Sequence, residues 1–226
     1  MRKWLKRILI VVILFIIFCL SIIVFSGYVF YKSVFRLSYE QINTYLLENN
    51  SENGTGCRKF SECELLPGDI LIRRYVTNVS DLFSKTLNPY FTHSAIYLGN
   101  DELFEALGDH LEPKDQIQIS KLSESDWMDE DMKNFVVIRP KNYNERFGEI
   151  KSNLRKIADD PDYVFGPFDE KRKNASCSDV ILKQLTKIEL VSNKEIPWII
   201  TPDYLFWTTQ NNKTSLEIVG YNINSK

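Results

Sequence analysis

Thr92-His93-Ser94-Ala95-Ile96-Tyr97-Leu98-Gly99-Asn100-Asp101-Glu102-Leu103-Phe104-Glu105-Ala106 carries one of the chain's two histidines and breaks once, at Gly-Asn-Asp. Alternation on both sides of that break predicts two antiparallel strands, Thr92 to Leu98 and Glu102 to Leu107. On the first, His93, Ala95 and Tyr97 share one face, and Ser94, Ile96 and Leu98 the other. By residue type alone, His93 is an ordinary strand histidine satisfied by a backbone partner. The hairpin changes that reading. A three-residue loop pairs Leu98 with Glu102, and therefore Ala95 with Glu105. Glu105 then stands diagonal to His93 on the same face, roughly 7–8 Å away at Cα, within reach of the imidazole. A two-residue loop would place it on the opposite face. Glu105 also interrupts an apolar strand, and small Ala95 leaves room for a carboxylate to orient the ring.

Further strands are predicted at Asp69 to Val76, behind the Pro67-Gly68 turn, at Phe135 to Arg139, and at Leu216 to Tyr221. Helical spacing marks Phe35 to Leu47, Arg146 to Ala158 and Cys177 to about Leu190, where Val180, Ile181, Leu185 and Ile188 fall on one face. Strands first, then helix, then strand predict an α+β fold with an antiparallel sheet. No internal repeat or low-complexity tract is present.

Cys177 opens its predicted helix, where backbone N–H groups and the positive dipole end favour a thiolate. Those N–H groups suit an oxyanion as well. Read alone, Cys177 is equally a small buried residue at a helix start. Taken with His93 and Glu105, it makes a nucleophile, base and orienting acid. Of the other cysteines, Cys57 and Cys63 are spaced for a disulfide in an oxidising compartment, and Cys19 lies in an apolar run. No further Cys or His stands at ligand spacing beside Cys57 and Cys63, so no metal and no cofactor is expected.

The N-terminus is a separate matter. Arg2, Lys3, Lys6 and Arg7 precede a run from Ile8 to Tyr31 without a charged residue. About 20 apolar residues at 1.5 Å each span a hydrocarbon core of ~30 Å. The run exceeds the ~7–15 apolar residues of a cleaved signal, so a retained single-pass anchor is expected. The basic flank places the N-terminus in the cytoplasm and the remaining chain outside. Without those four charges, 24 basic side chains face 30 acidic ones, which excludes nucleic-acid binding by bulk charge. The expected organisation is 1–31 as cytoplasmic tip and anchor, 32–64 as a linker with a short helix, and 65–226 as the folded domain.

Leu65-Leu66-Pro67-Gly68-Asp69-Ile70, Thr92 to Gly99, Glu105-Ala106, Cys177-Ser178-Asp179-Val180 and Thr201-Pro202-Asp203-Tyr204-Leu205 together resemble one family. It is the circularly permuted papain-like amidases of the YiiX/YaeF type, within the NlpC peptidase superfamily. The resemblance covers Leu65 to about Tyr221. It implies a permuted papain-like domain, its antiparallel sheet packed on the Cys-bearing helix, with Cys177 as nucleophile, His93 as base and Glu105 as orienting acid. Two positions depart from the family pattern. Ser176 replaces the usual aromatic before the cysteine, and Asp179 the usual glutamate after Cys-Ser.

The expected function is a membrane-anchored cysteine amidase or peptidase, with cell-wall peptides as one substrate class. A thiol acyltransferase or lipid amidase at the membrane surface is the alternative enzyme, and a non-catalytic binding module the third reading. The substrate would be a peptide or lipid with an amide or ester bond. Loops Asn78 to Tyr90 and Gly108 to Asp131 are expected to border the groove, with Phe83, Tyr90, Phe91 and Trp127 as contacts. Tyr97 and Tyr163 are further candidates for substrate binding.

Overall fold

Short β-branched and aromatic runs build a six-stranded sheet in which every neighbouring pair is antiparallel. The computed structural model describes residues 2–50, 56–74, 89–108, 116–129, 132–141, 144–166, 168–191, 197, 200–211 and 215–224. The expectations for Val76 and Phe83, and for most of the loop Asn78 to Tyr90 and part of the loop Gly108 to Asp131, lie outside these residues. The strands are β1 (Ile70–Arg73), β2 (His93–Gly99), β3 (Glu102–Ala106), β4 (Ile117–Lys121), β5 (Phe135–Pro140) and β8 (Leu216–Asn222). Their order across the sheet is β4-β3-β2-β1-β5-β8. A separate parallel pair, β6 (Val164–Phe165) and β7 (Asn174–Ala175), precedes the cysteine helix. The helices are α1 (Arg2–Ser33), α2 (Tyr39–Asn50), α3 (Asn144–Asp159), α4 (Cys177–Lys187) and α5 (Pro202–Asn211). The chain is therefore α+β, as its pattern of strands and helices predicts.

Residues 1–34 and 35–226 form two units. In the first, α1 contains Val12–Val29, a window of mean hydropathy 2.8 with none of it buried, long and apolar enough to cross a membrane. Within it Ser21 donates its hydroxyl back to the Ile17 carbonyl at 2.6 Å, so that polar group is satisfied within the helix.

In the second unit, both faces of the sheet are buried. Ile70, Ile72, Ile96, Phe104, Val136 and Ile138 meet Val180, Ile181, Leu185, Leu154 and Phe206 from the helices in one large core. Leu71, Ala95, Leu103, Phe135 and Val137, on the other face, pack with Phe60 and Trp127 in a smaller one. The period of two delivers the strand residues alternately to the two cores. Helix α4 is buried beyond its expected apolar face, since Leu182 and Gln184 are also enclosed. The stretch 32–64, expected as a linker, supplies Leu37, Ile42 and Leu46 to the large core and Phe60 to the small one.

The β2–β3 hairpin reaches the expected register by an unexpected route. Ala95 pairs with Glu105, Ile96 with Phe104 and Tyr97 with Leu103, but Gly99, not Leu98, faces Glu102. The turn holds two residues, Asn100 (φ 54) and Asp101 (φ 65), both left-handed as a type I′ turn requires. Leu98 is the extra residue of a bulge, and the bulge restores the face that a two-residue loop would have reversed. Lys151 Nζ donates to the Leu98 carbonyl at 2.7 Å, occupying an acceptor at the bulge. Gly99 has φ +82, and a Cβ there would lie 2.9 Å from Pro67 Cγ, so only glycine fits.

Two buried carboxylates fix the segments that enter the strands. Asp69 accepts the Leu66 N–H at 2.8 Å and both arms of Arg139, at 2.9 and 2.7 Å, closing the Pro67-Gly68 turn. Asp203, at the start of α5, accepts three backbone N–H groups: Leu37 and Tyr90, each at 2.9 Å on Oδ2, and Phe91 at 2.7 Å on Oδ1. Burial pushes its pKa up to about 6 against those three bonds, so at neutral pH it is the ionised acceptor. An amide offers one oxygen where three donors converge. Asp203→Asn is therefore expected to lose about 1–3 kcal/mol for each N–H left facing the NH2 group. The measurement is a lower urea midpoint at unchanged slope, and an unchanged midpoint would remove Asp203 from this role.

Candidate active site

His93 is the first residue of β2, where the strand emerges from the Tyr90-Phe91 segment anchored by Asp203. It pairs across the sheet with Arg73 on β1, while Glu105 sits opposite Ala95 on β3. The diagonal expected from register closes into a contact: Nε2 of His93 lies 2.8 Å from Oε2 of Glu105, both side chains 5% exposed. The ring also hydrogen-bonds the Cys177 thiol. With Nε2 engaged by the carboxylate, that contact falls to Nδ1, the ring's other nitrogen.

Cys177 is the first residue of α4, preceded by Ser176 in extended backbone at φ −119 and ψ 156. The helix start thus exposes its free N–H groups beside the sulfur. Ser94 supplies two further donors to the thiol, its hydroxyl and its backbone N–H. The Ser94 hydroxyl also lies 3.1 Å from that of Ser178, on the face opposite His93. Two consecutive residues of β2, His93 and Ser94, thus both act on the Cys177 thiol.

Glu105 has a donor on each oxygen. Oε2 takes His93 and the indole N–H of Trp127 at 3.1 Å, and Oε1 takes the Ser120 hydroxyl at 2.7 Å. Burial raises its pKa, but these three donors and the imidazolium charge bring it down to about 2. Burial likewise opposes charge on His93, yet the thiol and the carboxylate together lift the ring to about 9. Cys177 is pushed up by burial and drawn down further by His93 and Ser94, ending at about 7. All three shifts favour a carboxylate–imidazolium–thiolate chain at neutral pH. Such a chain supplies an attacking sulfur and a proton for the leaving group.

The structure brings together Cys177, His93 and Glu105, and sends the expected substrate contacts elsewhere. Trp127 is fully buried, spending its N–H on Glu105, and its ring lies tilted at 38° with its centroid 5.7 Å from that of His93, so it braces the site. Tyr90 and Phe91 are core residues as well. Tyr97 is half-buried, and its hydroxyl accepts the Asp101 N–H at 3.3 Å, which fixes the hairpin turn. Tyr163 packs half-buried against the large core beside Asp160, Glu170, Lys173 and Lys187, and burial raises its phenol pKa. Ser94 and Ser120 were not anticipated as site residues. Ser120 had a signal, the alternation Ile117-Gln118-Ile119-Ser120, inside a stretch read as a loop.

Among the described residues, no group of three or more His, Cys, Asp or Glu side chains is placed to hold a metal ion. Cys57 and Cys63 form a disulfide, Cα to Cα 5.1 Å. In comparisons with known proteins, no family model and no curated protein matches this chain.

Proposed function

We propose that this protein is a membrane-anchored cysteine hydrolase of the permuted papain-like kind, cleaving an amide bond by attack of Cys177. The carrying observation is the buried chain Glu105–His93–Cys177, in which each partner favours the charged form of the next. In the reaction, the Cys177 sulfur attacks the carbonyl carbon and the negative charge moves to its oxygen. Free N–H groups at the start of α4 suit that oxyanion. His93 gives its proton to the departing amine, leaving an acyl-cysteine. Water then attacks this thioester with His93 taking its proton, and Cys177 is released. Glu105 holds the ring's far nitrogen throughout and does not itself exchange the proton. A binding module has no use for such a set. An outer location is supported by the basic N-terminal flank, the apolar α1 and the disulfide, which suits an oxidising compartment.

The test is the pH dependence of the thiol. Thiolate appears as pH rises through about 7, and imidazolium is lost as pH rises through about 9. Alkylation of Cys177 by iodoacetamide, quantified by peptide mass spectrometry, should therefore rise with a midpoint near 7. Amide hydrolysis should be bell-shaped between the two values, which belong to the pair. A Cys177 midpoint near 8.5, that of an ordinary thiol, would count against the reading.

A further inference from the structure

The disulfide loop stands far from the nucleophile in sequence, yet its one aromatic is linked by contact to the catalytic carboxylate. Cys57 and Cys63 close a ring around Phe60, and the Cys63 N–H donates to the Phe60 carbonyl at 3.0 Å. Cys57 is tied to β8 by two backbone bonds, its N–H to the Val219 carbonyl at 3.3 Å and its carbonyl to the Tyr221 N–H at 3.0 Å. Gly220 lies directly beneath, where a Cβ would collide with Cys57 Sγ and come within 3.1 Å of Cys63 Sγ. The ring is thus seated on an edge strand that accepts no other residue at that point.

Phe60 is buried, and its ring lies 5.5 Å from that of Trp127 and 5.5 Å, edge-on, from that of Phe135. Trp127 in turn touches three members of the site region. Its indole N–H reaches Glu105 Oε2, its ring lies tilted beside that of His93 at 5.7 Å between centroids, and the Arg73 guanidinium lies 4.3 Å over it. The oxygen that Trp127 holds is the one His93 Nε2 contacts. Ser120 fixes only the other oxygen, about which a carboxylate released by Trp127 can pivot.

We propose that Trp127, held by Phe60 in the Cys57–Cys63 loop, is a positioning residue that keeps Glu105 on His93 and thereby keeps Cys177 a thiolate. This rests on the proposed cysteine chemistry. Opening the loop frees Phe60, uncovers one side of Trp127 and admits water to the carboxylate. A solvated, pivoting carboxylate holds the imidazolium less well, and the thiolate loses its main partner. Glu105, His93 and Cys177 are then all present but no longer hold their charges.

The full-length protein in detergent tests this with the Cys177 alkylation profile. Cys57→Ser/Cys63→Ser is expected to move the midpoint upward by about one unit and to slow labelling at pH 7 about fivefold. Trp127→Phe keeps the disulfide and most of the packing but removes the N–H, and should move the midpoint in the same direction. It serves also where the double serine variant fails to fold. The emission difference between the serine variant and the same variant carrying Trp127→Phe cancels Trp4, Trp198 and Trp207 and reports whether water has reached Trp127. If the wild type shows an ordinary midpoint near 8.5, the hydrolase reading itself has failed. Should the wild type show its lowered midpoint and Trp127→Phe match it, the positioning role is overturned while the hydrolase reading stands.

Discussion

Cys177→Ser is expected to bring amide turnover to background while leaving the fold intact, because the change is one atom at a helix start. The sulfur is ionised near neutral pH at this site, drawn down to about 7 by His93 and Ser94. A serine hydroxyl has no comparable ionisation and must lose its proton during attack. His93 would also lose its main source of elevation, since the thiol is the leading cause that raises it. The resting ion pair disappears and the site becomes a neutral hydroxyl beside an imidazole. His93→Ala attacks the same pair from the other side. It removes the proton donor for the leaving group and the charge that stabilises the thiolate, a loss of about 10²–10⁴-fold or more. It should also return the alkylation midpoint of Cys177 toward 8.5, an effect a merely structural histidine would not have. His110→Ala is the control and should stay near wild type. If His110→Ala abolishes activity and His93→Ala spares it, the base has been assigned to the wrong histidine.

The site was legible where it depended on period and register, and illegible where it depended on tertiary contact. Alternation gives the two faces of each strand, and the expected three-residue loop pairs Ala95 with Glu105 and so sets Glu105 on the face of His93, the pairing the sheet has. The hairpin reaches that register through a two-residue turn and a bulge in place of the expected three-residue loop. A three-residue loop and a two-residue turn with a bulge at Leu98 differ only in local backbone, and Gly99-Asn100-Asp101 suits both. Trp127 shows the other limit. A tryptophan in a polar stretch reads as a surface contact, and nothing local says that its N–H will find Glu105, 22 residues earlier. Tyr90 and Phe91 are core residues for the same reason, because the carboxylate that holds their backbone is Asp203, more than a hundred residues on. Helix α5 was missed, although Thr201-Pro202-Asp203 is a helix-start pattern with Pro at the first turn. Its residues were noticed only for their resemblance to a family motif. Phe60 sits in a short polar loop and gave no sign of belonging to a core.

Glu105→Gln separates orientation from charge, and the hydrogen bonds around it dictate how. Two donors, His93 Nε2–H and Trp127 Nε1–H, converge on Oε2, so the amide oxygen must take that position. The NH2 group then faces Ser120, whose hydroxyl donates to Glu105 in the native protein but can rotate and accept. The imidazole therefore keeps its partner while losing the negative charge. Its pKa, now about 9, should fall toward the ordinary 6.5, and the alkaline limb of the activity profile should move down with it. The thiolate midpoint should rise, because a less charged ring stabilises it less. Turnover at pH 7.5 is expected to drop about 10–100-fold, corresponding to one or two units of lost electrostatic support. Glu105→Ala removes the acceptor as well and should fall further, because His93 Nε2 and the indole N–H lose the oxygen they share. Adding Ser120→Ala to Glu105→Gln should worsen it, since the amide NH2 then has no acceptor. Adding Cys177→Ser should change nothing beyond Cys177→Ser alone, because groups that act as one unit do not lose activity additively. Equal activity in wild type, Glu105→Gln and Glu105→Ala would take the carboxylate out of the mechanism and leave a cysteine–histidine pair.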